Sequence, residues 1–398
     1  MLRKLLAKKS LTILGLNSGT SADGLDLAVI RFRMIDGRPR IGFVVGRAVA
    51  YPSRVKRELE GMLGDRKTGI EEAARFDIAY GRYLGKSAVR FIAEKGLNVD
   101  LIASHGQTIG HFPEKKKVLG NSTGATFQAG DGNAIACETG IPVVSDFRRA
   151  DVASRGEGAP LTPFVNHLLF GDGKRSRIVV NIGGIANFSY HPAGGLAAEV
   201  RGGDCGPGNV LSDMANQLLF HKPYDKDGRI ADRGEVIDEI IERIDEANRQ
   251  RGVSAGREQF GWPLFAGLVY AARRHRAQNQ DIVASITAAT AWLIARSLEP
   301  FLADRRLEAI YLTGGGRRNR FLVKRLAEAM KPHRVLLIED MGYDGDLLEA
   351  ASFAALGGCF IHGLPSTLPQ VTGAVRSAIS GKLSLPPGGS RSIKRVDR

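Results

Sequence analysis

Four glycine-centred polar segments set the limits on what this chain can fold into. They are Gly19-Thr20-Ser21-Ala22-Asp23-Gly24, Asn181-Ile182-Gly183-Gly184, Asp204-Cys205-Gly206-Pro207-Gly208-Asn209 and Gly314-Gly315-Gly316. Three of them follow, or sit inside, short β-branched apolar runs, which read as strands. Glycine at a strand exit lets the backbone turn sharply and approach a ligand closely. Backbone N–H groups in such turns, joined by Thr, Ser and Asn side chains, can hold phosphate oxygens. Aspartates nearby can position a divalent cation or take a proton. The pattern points to phosphoryl transfer.

The runs around these segments outline an α/β protein. Thr12–Leu16 and Leu27–Phe32 read as two strands joined by the turn Asn17–Asp26. Residues 54–70 and 71–96 read as helices, the second with Ala73, Ala74, Phe76, Tyr80, Tyr83 and Leu84 near helical spacing. Val99–Ala103 is a short buried strand that delivers Ser104-His105-Gly106-Gln107-Thr108 at its exit. A helix around 131–138 and a strand at Ile141–Val144 lead into Asp146-Phe147-Arg148-Arg149. A second strand–turn–strand, Ile178–Asn181 and Ile185–Tyr190 around Gly183-Gly184, repeats the layout of the first. Helices follow at 209–220, Ala284–Leu298, 319–330 and Leu347–Gly357, with a strand at Leu307–Leu312 aimed into Gly314-Gly315-Gly316. The Gly206-Pro207-Gly208 segment is expected as a loop at the N-terminus of helix 209–220.

Bulk composition narrows the class. A chain of 398 residues, 43% of them hydrophobic, can bury more than one core. Its 49 glycines are spread through many separate turns. Three widely spaced cysteines argue against a disulfide scaffold and suit a reducing, cytoplasmic compartment. No apolar run approaches the roughly 20 residues of a membrane span, and the charged start lacks the hydrophobic stretch of a signal peptide. Of the net charge of +14, a net +9 lies in residues 1–10 and 376–398. Solvated basic ends explain it, and no aromatic platform or zinc-finger spacing supports a dedicated nucleic-acid partner.

These segments resemble the anhydro-N-acetylmuramic acid kinase family of the sugar kinase/Hsp70/actin superfamily. The resemblance begins with Ser18-Gly19-Thr20-Ser21-x-Asp23-Gly24-x-Asp26, His105-Gly106-Gln107-Thr108 and Gly130-Asp131. It continues through Asp146-Phe147-Arg148-Arg149-x-Asp151-Val152-Ala153, Gly158-Ala159-Pro160-Leu161 and Asn181-Ile182-Gly183-Gly184-Ile185-Ala186-Asn187. Asp204-x-Gly206-Pro207-Gly208-Asn209, Tyr224-Asp225-Lys226-Asp227-Gly228 and Gly256-Arg257-Glu258-x-Phe260 come next. Gly314-Gly315-Gly316-x-x-Asn319, Gly345-Asp346-x-x-Glu349-Ala350 and Leu368-Pro369-Gln370-Val371-Thr372-Gly373-Ala374 complete it, in the family's order from about residue 13 to 375. The chain departs from the family at Asn17, usually Met, at Ala22, usually Leu, and at Cys205 and Ala255, usually Thr or similar.

The resemblance implies an α/β, two-lobed actin-like ATPase fold: two ribonuclease-H-like domains with a central cleft. The first lobe would span 1–172, completed by about 362–384, the second 173–361, and 385–398 would be a mobile basic tail. It implies a kinase, dependent on ATP and Mg2+, that opens the 1,6-anhydro ring of anhydro-N-acetylmuramic acid with water and phosphorylates O6 in cell-wall recycling. The rival readings are a kinase for another anhydrosugar, such as levoglucosan, and a non-catalytic nucleotide-gated binding module. The expected partner is a small-molecule anhydrosugar, with no membrane and no dedicated nucleic-acid partner; a homodimer is left open.

Residue roles follow from that resemblance, each beside a structural alternative. Asp204 is the expected general base, or else a helix cap. Gly19, Thr20 and Ser21 form the first phosphate loop, with Asp23 and Asp26 near the metal or the sugar, or else a hairpin turn. Gly183 and Gly184 form the equivalent loop, and Gly206, Gly208 and Asn209 add phosphate contacts. Gly314, Gly315, Gly316 and Asn319 surround the adenosine, or else make a tight turn. His105, Asp131, Arg148, Arg149 and Asp151 are candidate substrate contacts, with arginine suited to the lactyl carboxylate; an internal ion-pair network is the alternative. Glu349 would polarise or position the substrate, or cap its helix.

Overall fold

The computed structural model describes residues 2–19, 24–63, 68–249 and 260–388. The chain divides into two compact units, Met1–Leu169 with Asp346–Arg398, and Phe170–Gly345.

The first unit is built on a mixed sheet. Strands β1 (Ser10–Ser18), β2 (Gly24–Ile35) and β3 (Arg38–Ala50) form an antiparallel meander. β4 (Leu101–Val118) joins the other side of β1 in parallel, and β6 (Val143–Ser145) follows it in parallel. β5 (Asn121–Ala129) pairs back on β4, and β12 (Lys382–Ser384) closes the far edge against β6.

In the second unit β7 (Ser176–Ile182), β8 (Ile185–His191) and β9 (Arg201–Pro207) again form an antiparallel meander. β10 (Leu307–Thr313) and β11 (Val335–Leu337) add in parallel beyond β7. Each sheet therefore has its first strand central, its second and third on one side, and two parallel strands on the other. That is the expected ribonuclease-H-like order, present twice.

Packing corrects one expected boundary. Helix Leu348–Ile361, assigned from sequence to the second lobe, lies on β1, β2 and β4 of the first unit. A Cβ on Gly15 of β1 would meet the Ala350 carbonyl oxygen at 1.9 Å, and one on Gly358 would enter the Phe32 ring. The helix thus rides directly on the central strand, and the first unit resumes at Asp346. Helix Ile70–Lys95 contributes Tyr80, Leu84 and Phe91 to the core that also holds Leu14, Leu16 and Val29.

Several elements differ from the sequence expectation. The helix expected over 54–70 is described as Ser53–Leu63. β4 does not end before His105 but runs on to Val118, because β5 supplies a partner for its outer half. β3 and β9 are not among the expected strands; β3, with Phe43-Val44-Val45 at its centre, is a largely exposed edge, and β9, which lacks an apolar run, is recruited by pairing with β8. Helix Asn279–Leu298, with its continuation to Phe301, has the length and mean hydropathy, 1.2, of a membrane span. Yet 78% of its apolar window is buried within the structure, where it forms the centre of the second unit's core.

Candidate active site

In the second unit, strand register brings four polar residues into one row. Thr313 on β10 stands opposite Asn181 on β7, Asn181 opposite Asn187 on β8, and Asn187 opposite Asp204 on β9. Directly opposed residues share a face of the sheet, so this row lies on one side of the unit. Asp204 is half-buried within β9, six residues before the helix Val210–Phe220, whose N-cap is Asn209. The N-cap position of that helix belongs to Asn209, not Asp204.

The glycine loops divide into those that clear space for the chain itself and those that open outward. A Cβ on Gly314 would meet Asn181 Oδ1 at 2.4 Å, and one on Gly316 would meet Ile182 Cγ2 at 2.3 Å. Gly314 also sits at φ +77, where a side chain is strained. A Cβ on Gly208 would meet the Gly183 carbonyl oxygen at 2.3 Å, and one on Gly206 would meet Asn248 Oδ1 at 2.9 Å. These four glycines are demanded by internal packing. Gly183 and Gly315, by contrast, have no protein atom within 3.4 Å of an added Cβ. At these two described turn glycines the backbone is open to the approach of a ligand.

Hydrogen bonding narrows the phosphate contacts further. The N–H groups of Gly208 and Val210 donate to the Gly184 carbonyl, at 2.9 and 3.2 Å, and that of Asn209 to the Gly183 carbonyl at 2.8 Å. Sequence reasoning assigned this helix start to phosphate; the structure uses its amides to fasten the β7–β8 turn. Asn209 Nδ2 donates to the Ile182 carbonyl, and Asn319 caps helix Arg320–Ala329 by accepting from Leu322 N. Both asparagines hold loops in place. Arg317, buried, ties the Gly314 carbonyl to Glu339: Nη1 donates to the carbonyl at 3.0 Å and Nε to Glu339 Oε1 at 2.8 Å. Sequence reasoning did not single it out.

In the first unit, Asn17 on β1 stands opposite Asp26 on β2, mirroring the Asn181–Asn187 pair. Asn17, almost fully buried, donates from Nδ2 to Glu349 Oε2 at 3.0 Å. Glu349 itself is exposed in the first turn of helix Leu348–Ile361, so its carboxylate is oriented yet accessible. At the end of β1, Tyr51 donates to Ser18 Oγ at 2.8 Å, and Ser18 Oγ donates to Gln107 Oε1. Tyr51 spends its proton on Ser18, so the Tyr80 hydroxyl donates to it at 2.6 Å. This chain of buried hydroxyls ties the end of β1 to β4 and to helix Ile70–Lys95. Thr20, Ser21, Ala22, Asp23 and the 256–258 part of the motif ending at Phe260 lie outside the described residues, as does the tail beyond 388.

Five residues were expected at the substrate, and the structure gives them different positions. Arg148 Nε donates to His105 Nε2 at 3.0 Å, and Arg148 Nη1 to the Gly158 carbonyl at 3.0 Å. An arginine can only donate, so His105 Nε2 must accept and its Nδ1–H points to the Gly106 carbonyl, 3.0 Å away. The imidazole is therefore neutral, stacked on Phe353 at 4.4 Å, and burial, reinforced by Arg148, holds its pKa well below the usual histidine range. Both ring nitrogens are committed to protein atoms; His105 orients Arg148 rather than a sugar hydroxyl. Among the described residues no carboxylate lies within ion-pair distance of Arg148, although the Glu349 charge acts on it from farther away.

Arg149 is exposed and faces Asp146 Oδ1 at 3.5 Å. Asp131 caps helix Gly132–Thr139, accepting from Ala134 N at 2.8 Å. Asp151 is fully buried: Oδ1 accepts from Thr372 Oγ1 at 2.7 Å and Oδ2 from Gly158 N at 2.8 Å. Burial raises the pKa of its carboxyl, and these hydrogen bonds work against the rise. With both oxygens spent inside the fold, Asp151 organises a loop, which corrects its assignment as a substrate contact. The described residues contain no cluster of three metal-ligating side chains.

The family model for anhydro-N-acetylmuramic acid kinase matches residues 11–385. The chain belongs to that family. Among its relatives, the anhydro-N-acetylmuramic acid kinase of Caldanaerobacter subterraneus is 32% identical over 393 residues, covering 96% of this chain and 99% of the relative. Those of Bacillus cereus and Salinibacter ruber are also 32% identical and cover 94% of this chain, with 99% and 96% of their own lengths matched. Membership makes the chain a kinase, a phosphotransferase of the carbohydrate class. The matched span includes Asp204, Glu349, Arg148 and every glycine turn described above.

Proposed function

We infer that the chain phosphorylates O6 of 1,6-anhydro-N-acetylmuramic acid at the expense of ATP while water opens the anhydro bridge, giving N-acetylmuramic acid 6-phosphate. The observation that carries this reading is the family match over nearly the whole chain, residues 11–385. Arg148 supports the substrate side: a guanidinium held by two neutral acceptors, with no carboxylate among the described residues bound to it, suits the lactyl carboxylate that sets muramic acid apart from simpler sugars.

Asp204 is the proposed base. Its carboxylate takes a proton from water as the water oxygen bonds to C1 and the C1–O6 bond breaks. O6 then bonds to the γ-phosphorus and ADP departs with the electron pair of the broken phosphoanhydride. A base of this kind must come within roughly 2.6–3.2 Å of the water it deprotonates. Glu349, fixed by Asn17, is placed to orient the sugar or the water.

Gly183 and Gly315 are the backbone positions open to the nucleotide. Magnesium takes oxygen ligands, keeps several waters and needs only one or two carboxylates. Asp26 beside the amide of Asn17 fits that donor chemistry, with Asp23 as the second expected carboxylate. The ion would neutralise charge on the transferring phosphoryl group. Cys137, Cys205 and Cys359 are free thiols, in keeping with a cytoplasmic, ATP-supplied enzyme.

A substrate panel tests the reading. ADP release should depend on 1,6-anhydro-N-acetylmuramic acid and fall sharply with levoglucosan, which lacks both the acetamido and lactyl groups. Equal or better turnover of levoglucosan would transfer the assignment to another anhydrosugar.

A further inference from the structure

The residues that hold Arg148 do not end with its direct partners. The Gly158 peptide that accepts from Arg148 Nη1 is itself fixed at its nitrogen, which donates to Asp151 Oδ2 at 2.8 Å. Gly158 sits at φ +79, and a Cβ there would meet Val152 Cγ2 at 2.8 Å, so the peptide has little freedom to tilt. Asp151 in turn is oriented by Thr372, whose hydroxyl donates to Oδ1 at 2.7 Å. Both are shielded from water, with Asp151 0% and Thr372 1% exposed.

Backbone contacts stitch the same two segments together. Glu157 N donates to the Thr372 carbonyl at 2.8 Å, and Val375 N to the Ser154 carbonyl at 2.9 Å. A Cβ on Gly156 would meet Asp151 Oδ2 at 2.1 Å, so this loop closes directly over the carboxylate. A segment more than two hundred residues downstream therefore determines where the Gly158 carbonyl points. That carbonyl and His105 Nε2 are the two acceptors that aim the guanidinium.

We propose that Thr372 is a positioning residue for anion recognition, acting through Asp151 and the Gly158 peptide to aim Arg148 at the carboxylate of the substrate. This rests on the reading of Arg148 as the contact for the lactyl group. Removing the Thr372 hydroxyl takes one of three donors from a buried carboxylate, leaving Thr367 and the Gly158 N–H, and Asp151 re-centres on those two and carries the Gly158 peptide with it. A charge-assisted hydrogen bond of this kind is worth enough to matter, and the loss reaches the ligand only through the direction of Arg148.

The test compares kcat/KM on two sugars, 1,6-anhydro-N-acetylmuramic acid and the same anhydrosugar without its lactyl group. Thr372→Val should lower the value for the carboxylated sugar about 10-fold, leave that for the other unchanged, and leave the KM for ATP unchanged. Thr372→Ser, which restores the hydroxyl, should return the wild-type ratio. Should Thr372→Val fail to fold, Asp151→Asn, similar in volume, should show the same split between the two sugars. Equal losses on both sugars, or an unaltered ratio, would overturn the proposal. Wild-type enzyme and Arg148→Met set the scale: if those two share one sugar preference, the Arg148 reading itself has failed. If they differ while Thr372→Val and Asp151→Asn match wild type, only the positioning role has failed.

Discussion

Asp204→Asn should lower turnover by about 10²–10⁴-fold while leaving ATP affinity close to wild type. Asparagine has the same shape, and its amide cannot accept the proton that water must lose. Asp204 lies in β9, in register with Asn187, so the backbone that carries it is fixed by the β8–β9 pairing and not by its side chain. The turns at Gly183 and Gly315, proposed to face the nucleotide, are held by other groups, the amides of 208–210 and the Arg317–Glu339 pair. Steady-state kinetics, paired with calorimetric titration of ATP, separates the two effects. Turnover near wild type would remove Asp204 from the chemistry and shift the base to Glu349; loss of ATP binding would make Asp204 a nucleotide residue.

The second large effect is expected at Arg148. Arg148→Met should cut kcat/KM for the carboxylated anhydrosugar by roughly 30-fold or more, because truncating one partner of a desolvated charge pair costs about 2–5 kcal/mol. The loss should appear mainly in KM, since the carboxylate is remote from the reacting C1 and O6. Arg148→Lys should not rescue it. A lysine ammonium cannot span His105 Nε2, the Gly158 carbonyl and a ligand carboxylate with the fixed fork that guanidinium provides. An Arg148→Met enzyme with unchanged KM for this sugar would place the carboxylate elsewhere.

Much of the architecture was legible because glycine and β-branched runs report directly on backbone demands. The two strand–turn–strand openings, the helix read at 71–96 and found at Ile70–Lys95, and the strand into Gly314 all follow from local pattern. What the pattern could not show was the occupant of the space each glycine clears. Gly314 and Gly316 read as clearance for a nucleotide; the structure fills that clearance with Asn181 and Ile182 and leaves Gly315 open. A missing side chain looks the same in sequence whichever neighbour requires it.

Charged residues were ambiguous for a related reason. Asp131, Asp151, Arg148 and Arg149 sit close together in sequence, yet one caps a helix, one is buried under a loop, one holds its guanidinium on His105 and the Gly158 carbonyl and one faces Asp146 at the surface. The difference lies in distant partners such as Thr372 and His105. β9 was missed because Arg201-Gly202-Gly203-Asp204-Cys205-Gly206-Pro207 has little intrinsic strand preference, and its conformation comes from β8. The buried hydroxyl chain through Tyr80, Tyr51 and Ser18 had one usable signal, tyrosines at core spacing, since a buried phenol needs a partner.

The most direct test of the account is product analysis after reaction of 1,6-anhydro-N-acetylmuramic acid with ATP in heavy-oxygen water. Fragment masses should show one heavy oxygen at C1 of the sugar, an unlabelled bridging oxygen at C6 and an unlabelled phosphoryl group, with one ADP formed per sugar phosphate. Heavy oxygen in released inorganic phosphate, with the sugar recovered unphosphorylated, would mean that the protein merely hydrolyses ATP and would contradict the assignment.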